Sequence, residues 1–126
     1  MLFIFASLGA RGEISAMHRL ELSDASGAVV ATLVVAIPSS LPSSGQDFEG
    51  SWELQSHTGA FPIGAVHPGH YRGFQQDGKL LLDLNPDCAD NNVVLETQAQ
   101  TKHMAGRWRL ATAAGLQPGG SFRDAR

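Results

Sequence analysis

Three of the five histidines lie in one short segment, where their imidazole nitrogens could bind a metal ion. His67 and His70 flank a Pro-Gly pair, and His57 begins the same segment, HTGAFPIGAVHPGH. Two imidazoles on a tight turn, with a third across the loop, supply the nitrogen ligands that zinc accepts. No carboxylate lies within the segment to complete the ligand set. We therefore predict no metal and no cofactor, and we assign these histidines to a loop that could contact a partner.

General acid–base catalysis would need carboxylates that point into a pocket, or a histidine paired with a carboxylate. The acidic residues of the central segments alternate with bulky apolar residues, which puts them on the opposite, solvent-facing side of a strand; they are Glu49, Glu53, Asp83 and Glu96. We therefore predict no catalytic residue. If the interior were wide and polar, the two sides would exchange. A wet cavity suited to an isomerase or cyclase would then be lined by Glu53, Glu96, Arg107 and Arg109.

Other reactive patterns give no support to catalysis. The serine-rich stretch at residues 39–44 lacks the Gly-x-Ser-x-Gly turn of a hydrolase. No glycine-rich segment leads into a helix, as a phosphate-binding loop does. The single cysteine, Cys88, has no second thiol for a disulfide. Its neighbours Asp87 and Asp90 disfavour a thiolate, so we interpret Cys88 as an inert turn residue.

The residues between these groups are arranged as strands. Short runs alternate apolar with polar residues and are separated by turns rich in glycine and proline. Asp77-Gly78 between two such runs is a strong signal for a β-hairpin. About eight runs joined by short connections predict an antiparallel meander, whose edges stay unpaired unless it closes. We predict an all-β, up-and-down barrel of about eight strands, with a two-sheet β-sandwich as the alternative.

The two tryptophans occupy equivalent positions in two of these runs. FEGSWEL and MAGRWRL both place a glycine two residues before the tryptophan and a leucine two residues after it. Residues two apart share one face of a strand, and an inward glycine leaves room for a large neighbouring ring. We therefore predict that Trp52 and Trp108 both point into the barrel.

Gly-x-Trp on a strand of an all-β meander resembles the calycin superfamily, which comprises lipocalins, fatty-acid-binding proteins and avidin-type proteins. The resemblance covers residues 48–126 and rests on Gly50-Ser51-Trp52, Gly106-Arg107-Trp108 and Gly120-Ser121-Phe122. In lipocalins the motif lies on the first strand, and an arginine of the last strand packs over the tryptophan. Here the first motif lies on the third predicted strand, and Arg123 or Arg126 would be the counterpart. The resemblance implies a small barrel and transfers no ligand-contacting residue.

Composition limits the partners of this chain. Its 126 residues predict a single domain, spanning 1–126. The formal net charge is −3, and no cluster of lysine and arginine could neutralise several phosphates, so we expect no nucleic-acid partner. Residues 1–12 (MLFIFASLGARG) are too short an apolar segment to span a bilayer, and we expect no membrane span.

The same N-terminal segment is predicted to be a strand or docking segment, with a truncated targeting segment as the alternative. It has no positive charge before its apolar run, unlike a signal peptide, and a cytoplasmic location is the default expectation. Left uncovered, its apolar side chains would favour a homo-oligomer.

For function, we predict non-catalytic binding of a small apolar molecule inside the barrel. The residues predicted to line the site are Phe48, Trp52, Phe74, Leu82 and Trp108. Residues 57–69 would form a loop at the mouth, and a solidly packed core is the competing interpretation of the same side chains. The alternative function is a protein-interaction or inhibitor-type barrel that docks through this loop, using His57, Phe61, Ile63, His67 and His70.

Overall fold

The computed structural model describes residues 4–6, 14–42, 45–62, 69–87, 92–98 and 103–125. Within these ranges the chain forms nine strands and no helix. They are β1 (Ile4–Ala6), β2 (Ile14–Asp24), β3 (Val29–Pro38), β4 (Asp47–His57), β5 (Gly69–Gln76), β6 (Lys79–Asp83), β7 (Asn92–Gln98), β8 (Ala105–Thr112) and β9 (Gly115–Asp124). Since no helix is present there, no helical segment of the described chain could cross a membrane.

Each strand pairs antiparallel with the next, and one further pairing closes the sheet. β2 pairs with β9 from Leu20 opposite Asp124 to Asp24 opposite Gly120, so β2 to β9 form an eight-stranded barrel. The all-β, up-and-down barrel is therefore confirmed, and the sandwich alternative is wrong. The start of β2 extends beyond this pairing, where it pairs with β1 instead. The predicted N-terminal strand is present as Ile4–Ala6.

Local sequence sets the turns that permit this meander. Asp77 and Gly78 both have positive φ angles, 55° and 76°, as the two-residue turn between β5 and β6 requires. Between β2 and β3, Asp24 Oδ1 accepts hydrogen bonds from the Ser26 amide, the Ser26 hydroxyl and the Ala28 amide. The Ser26 hydroxyl contributes most to lowering the pKa of Asp24, and the backbone amides lower it further.

Alternation along the strands decides which side chains form the core. Leu20, Leu22, Leu82, Val93 and Leu95 are completely buried, each at an inward position of its strand. β3 is buried on its outer side as well, where Val30 and Thr32 lie. The sequence of this strand, VVATLVVAIP, accordingly has no regularly polar side. Arg19 of β2 and Gln55 of β4 reach across its outer face, where Arg19 Nε donates to Gln55 Oε1 at 2.9 Å.

Glycine makes room for rings, but the partners differ from the expected ones. A methyl group at Gly50 would overlap the Tyr71 ring of β5, rather than the indole of Trp52. The register explains this, because Gly50 and Tyr71 are directly opposite. Opposed residues lie about 5 Å apart, whereas residues two apart on one strand are separated by roughly 6.6 Å. In β8, Gly106 allows close approach of the Glu96 carbonyl on β7.

Candidate functional site

Aromatic side chains lie in both halves of the barrel interior, among the leucine and valine residues of the core. We call the end where β2, β4, β6 and β8 finish the upper end. Phe48 and Tyr71 lie in the lower half, with ring centroids 6.0 Å apart in a T-shaped arrangement. Phe61 and Trp108 meet at the upper end, also 6.0 Å apart, with their planes inclined at 57°. Trp52 is 4% exposed and lies on β4 between the two pairs.

The polar groups of the three largest rings are all satisfied by main-chain carbonyls. Trp52 Nε1 donates to Leu84 O at 2.8 Å, and Trp108 Nε1 donates to Ser23 O at 2.8 Å. The Tyr71 hydroxyl donates to Ala36 O at 2.6 Å, and burial raises the pKa of this phenol. Each acceptor lies two strands away from its donor, so these bonds brace the barrel. What the rings present to the interior is apolar surface.

Phe61 enters the barrel from the connection that follows β4. The Thr58 amide donates to Val30 O at 2.8 Å and anchors the start of this connection on β3. The amides of Ala60 and Phe61 then donate to Thr58 Oγ1 and Thr58 O, both at 3.2 Å. Gly59 and Ala60 are exposed, whereas the Phe61 side chain is only 2% exposed. One loop residue therefore closes the upper end of the aromatic core.

The predicted exposure of Phe61 is wrong. We assigned it to an interaction loop, but a protein partner could not reach a side chain that is buried against Trp108. Ile63 and His67, the other loop residues in that assignment, lie outside the described residues. The described part of the loop thus lacks the apolar anchor that the interaction hypothesis needs.

Most residues predicted to line the interior do so. Trp52, Leu82 and Trp108 are buried, and Phe48 packs against the core with its ring over Gly73. Phe74 differs: it is directly opposite Leu81, on the side of the sheet away from Gly73 and Leu82. This half-buried side chain lies on the outer face, so the expectation that Phe74 lines the interior is corrected.

The two described loop histidines do not come together. His57 ends β4, whereas His70 is directly opposite Ser51, six residues earlier on that strand. Six residues of strand span roughly 20 Å. His70 Nε2 instead lies 3.4 Å from Asp87 Oδ2, and both side chains are exposed. Among the described residues, no three potential ligand side chains are grouped to hold a metal ion.

The charged side chains that could have lined a polar lumen lie on the outer face. Glu96 is opposite Arg107 and lies 3.8 Å from both Lys79 Nζ and Arg109 Nη2. Glu53, opposite Val34, is exposed. The inverted arrangement that would favour an isomerase or cyclase is therefore wrong for these residues.

Two features of the interior escaped the sequence analysis. Tyr71 completes the lower half of the core, and its spacing of two residues from Gly73 was the available signal. Asp124 of β9 contacts β2 and the segment before β8, next to the pairing of β2 with β9. It accepts a hydrogen bond from the Met104 amide at 2.8 Å. Its carboxylate also lies 3.4 Å from His18 Nδ1 and 3.6 Å from His103 Nδ1. Residues so distant in sequence carry no local signal of their contact.

Comparison with known proteins adds no assignment. No protein-family model matches the chain, and neither a curated protein nor a solved structure matches it. What the barrel does is therefore inferred from its own residues.

Proposed function

We propose that this chain is a non-catalytic, calycin-like barrel that binds one small apolar molecule in the space that the Phe61 side chain fills. The observation that carries this proposal is the burial of a loop phenylalanine against Trp108, inside the barrel rather than on its surface. Eight-stranded barrels of this kind either pack their interior with side chains or hold one small ligand. Phe61 makes exchange between these two states possible, because it comes from a loop and not from a strand.

The chemistry of the space around Phe61 restricts the ligand. The neighbouring indole of Trp108 has its N–H bonded to Ser23 O, so it offers a ligand a ring face and no donor. The rest of the buried core is mostly leucine and valine, together with Trp52, Tyr71, Met104 and Phe122, whose buried surfaces are also mainly apolar. A polar ligand would lose its hydrogen bonds to water without gaining replacements. We therefore expect a neutral, ring-sized molecule.

The free energy needed to replace the Phe61 side chain by a ligand is small enough for reversible binding. Removing the Phe61 side chain from the interior costs about 1.5–3 kcal/mol of apolar burial, and a ligand of similar size recovers it. The hydrogen bonds that fold the loop around Thr58 are at the long end of the usual range, at 3.2 Å. The Thr58–Val30 bond at the base can persist while the tip moves outward.

The test is a toluene titration followed through the Trp108 indole N–H signal in nuclear magnetic resonance spectra. Wild-type protein is expected to bind toluene saturably, and Phe61→Ala is expected to bind it about 10–100-fold more tightly, because the competing ring is gone. Phe74→Ala is the matched control: it removes the same side chain from the outer face and should leave the wild-type affinity unchanged.

Binding by Phe61→Ala alone would contradict the proposal, because it would show a packed core with an engineered hole. Native mass spectrometry of protein purified from cells extends the test to natural ligands. A retained mass that is lost from wild-type protein on denaturation supports the proposal.

A further inference from the structure

A groove lies outside the barrel, on the hairpin that β8 and β9 form. Its volume is about 320 Å³, within the range of small-molecule sites. The lining is mainly apolar, from Trp108, Leu116 and Pro118, and Ala25 of the β2–β3 turn closes one side. Leu116 is 58% exposed, which leaves a large apolar side chain facing solvent at this groove.

A β-bulge creates the groove. Trp108 is opposite Gly120, but the next residue, Arg109, is opposite Pro118, so Gly119 is an extra residue on β9. Such bulges bend the strand and interrupt the regular sheet surface. A methyl group at Gly119 would overlap the Trp108 ring, so no side chain can occupy this position without moving the indole. The floor of the groove is consequently backbone and ring surface.

Two arginines border the groove with incomplete charge compensation. Arg107 and Arg109 are two residues apart on β8 and share its outer face, roughly 6.6 Å apart along the strand. Arg107 is exposed and makes no ion pair with any described residue. Arg109 shares the single carboxylate of Glu96 with Lys79, each at 3.8 Å. Glu96 is thus shared by two cations and Arg107 has no ion-pair partner among the described residues, although the chain as a whole has a formal net charge of −3.

The acidic residue on the opposite side of the groove does not compensate this charge. Asp24 adjoins Ala25, but three hydrogen bonds hold its Oδ1 to the amides and hydroxyl of its own turn. Guanidinium groups pair with carboxylates through two parallel hydrogen bonds, which suits an anion placed between the two arginine side chains.

We propose that this groove binds a small organic carboxylate, whose apolar part lies on Leu116 and Pro118 and whose carboxylate pairs with Arg107 and Arg109. The site is separate from the space filled by Phe61, and it takes an anion where the interior takes a neutral molecule. Trp108 contributes to both, with one part of its ring against Phe61 and another beneath Gly119.

Isothermal titration of wild-type protein with octanoate and with octanol tests this site. Octanoate is expected to bind at least about tenfold more tightly, because charge-assisted hydrogen bonds add to the apolar contact. The double variant Arg107→Gln, Arg109→Gln should remove this preference and leave octanol binding unchanged. Leu116→Ser should weaken both ligands.

Arg123→Gln is the matched control, since Arg123 is an exposed arginine on the outer face of β9 that pairs with Glu21. It should keep the wild-type preference for octanoate. Equal affinities of the wild-type protein for octanoate and octanol would overturn the proposal. So would a loss of the octanoate preference in Arg123→Gln equal to that in the double variant. Phe61→Ala should retain the octanoate affinity, so the groove and the interior site can fail separately.

Discussion

Replacing Gly50 by alanine tests the close packing of rings against inward glycines. The added methyl group would overlap ring atoms of Tyr71, which is fixed by its hydrogen bond to Ala36 O at 2.6 Å. Overpacking of this kind costs typically 1–3 kcal/mol. Alanine would regain about 0.5–1 kcal/mol because glycine loses more backbone freedom on folding. We expect Gly50→Ala to lower the free energy of unfolding by about 1–2 kcal/mol.

A double-mutant cycle, measured by urea denaturation, separates this contact from other effects of the substitution. In a Tyr71→Leu background, Gly50→Ala should become neutral or slightly stabilising. In a Tyr71→Phe background the cost should remain, because ring carbons as well as the hydroxyl approach Gly50. Gly59→Ala is the control: its added methyl group meets no atom within 4 Å, and we expect a change within about 0.5 kcal/mol.

An unchanged midpoint for Gly50→Ala in the otherwise wild-type chain would refute the predicted packing. The same loss in the Tyr71→Leu background would also refute it, because the cost would then have another source.

Three further predictions concern hydrogen bonds and ionisation. Tyr71 is the only tyrosine, and burial raises its pKa, so its ultraviolet phenolate signal should appear only above pH 10. The neutral phenol's contribution to stability is complete below the unfolded pKa and is lost as the pH rises toward the folded pKa. A phenolate signal that titrates near pH 10 would contradict the burial of this side chain. Trp108→Phe should lower the free energy of unfolding by about 1–3 kcal/mol, since Ser23 O loses its hydrogen-bond donor. A loss of stability no greater than that of the outer-face variant Phe74→Ala would contradict this prediction. Asp24 has a lowered pKa, so its contribution to stability is complete above its unfolded pKa of 3.8 and is lost as the pH falls through the folded pKa. Asp24→Asn should therefore make the free energy of unfolding depend less steeply on pH in the acid range. The same pH dependence in the variant and the wild type would contradict the contribution of this turn.

The alternation of apolar and polar residues was enough to predict the strands and the inward direction of both tryptophans. The segment HYRGFQQ shows where the pattern becomes ambiguous, because Tyr71 and Phe74 are three residues apart and cannot share a face of one strand. The register with β4 and β6 decides for Tyr71, since Gly50 leaves space for its ring and Phe74 pairs with Leu81 outside. Pairing with other strands is information that a single segment does not contain.

The candidate site was less predictable than the strands. Phe61 lies in a connection with no periodicity, so its burial follows from the open upper end of the barrel and not from its neighbours in sequence. The groove depends on the bulge at Gly119, and glycine in a strand permits a bulge without specifying one. The sequence predicted that an aromatic ring would pack against an inward glycine. Which residue supplies that ring could be found only from the register between neighbouring strands.

The nuclear Overhauser effect between the Phe61 ring and the Trp108 indole tests the proposed function most directly. The ring centroids are 6.0 Å apart, so cross-peaks between ring protons are predicted for the ligand-free protein. They should disappear as toluene saturates the wild-type barrel and takes the place of Phe61. Cross-peaks that persist at saturation, or that are absent from the ligand-free protein, would contradict a ligand site that Phe61 occupies.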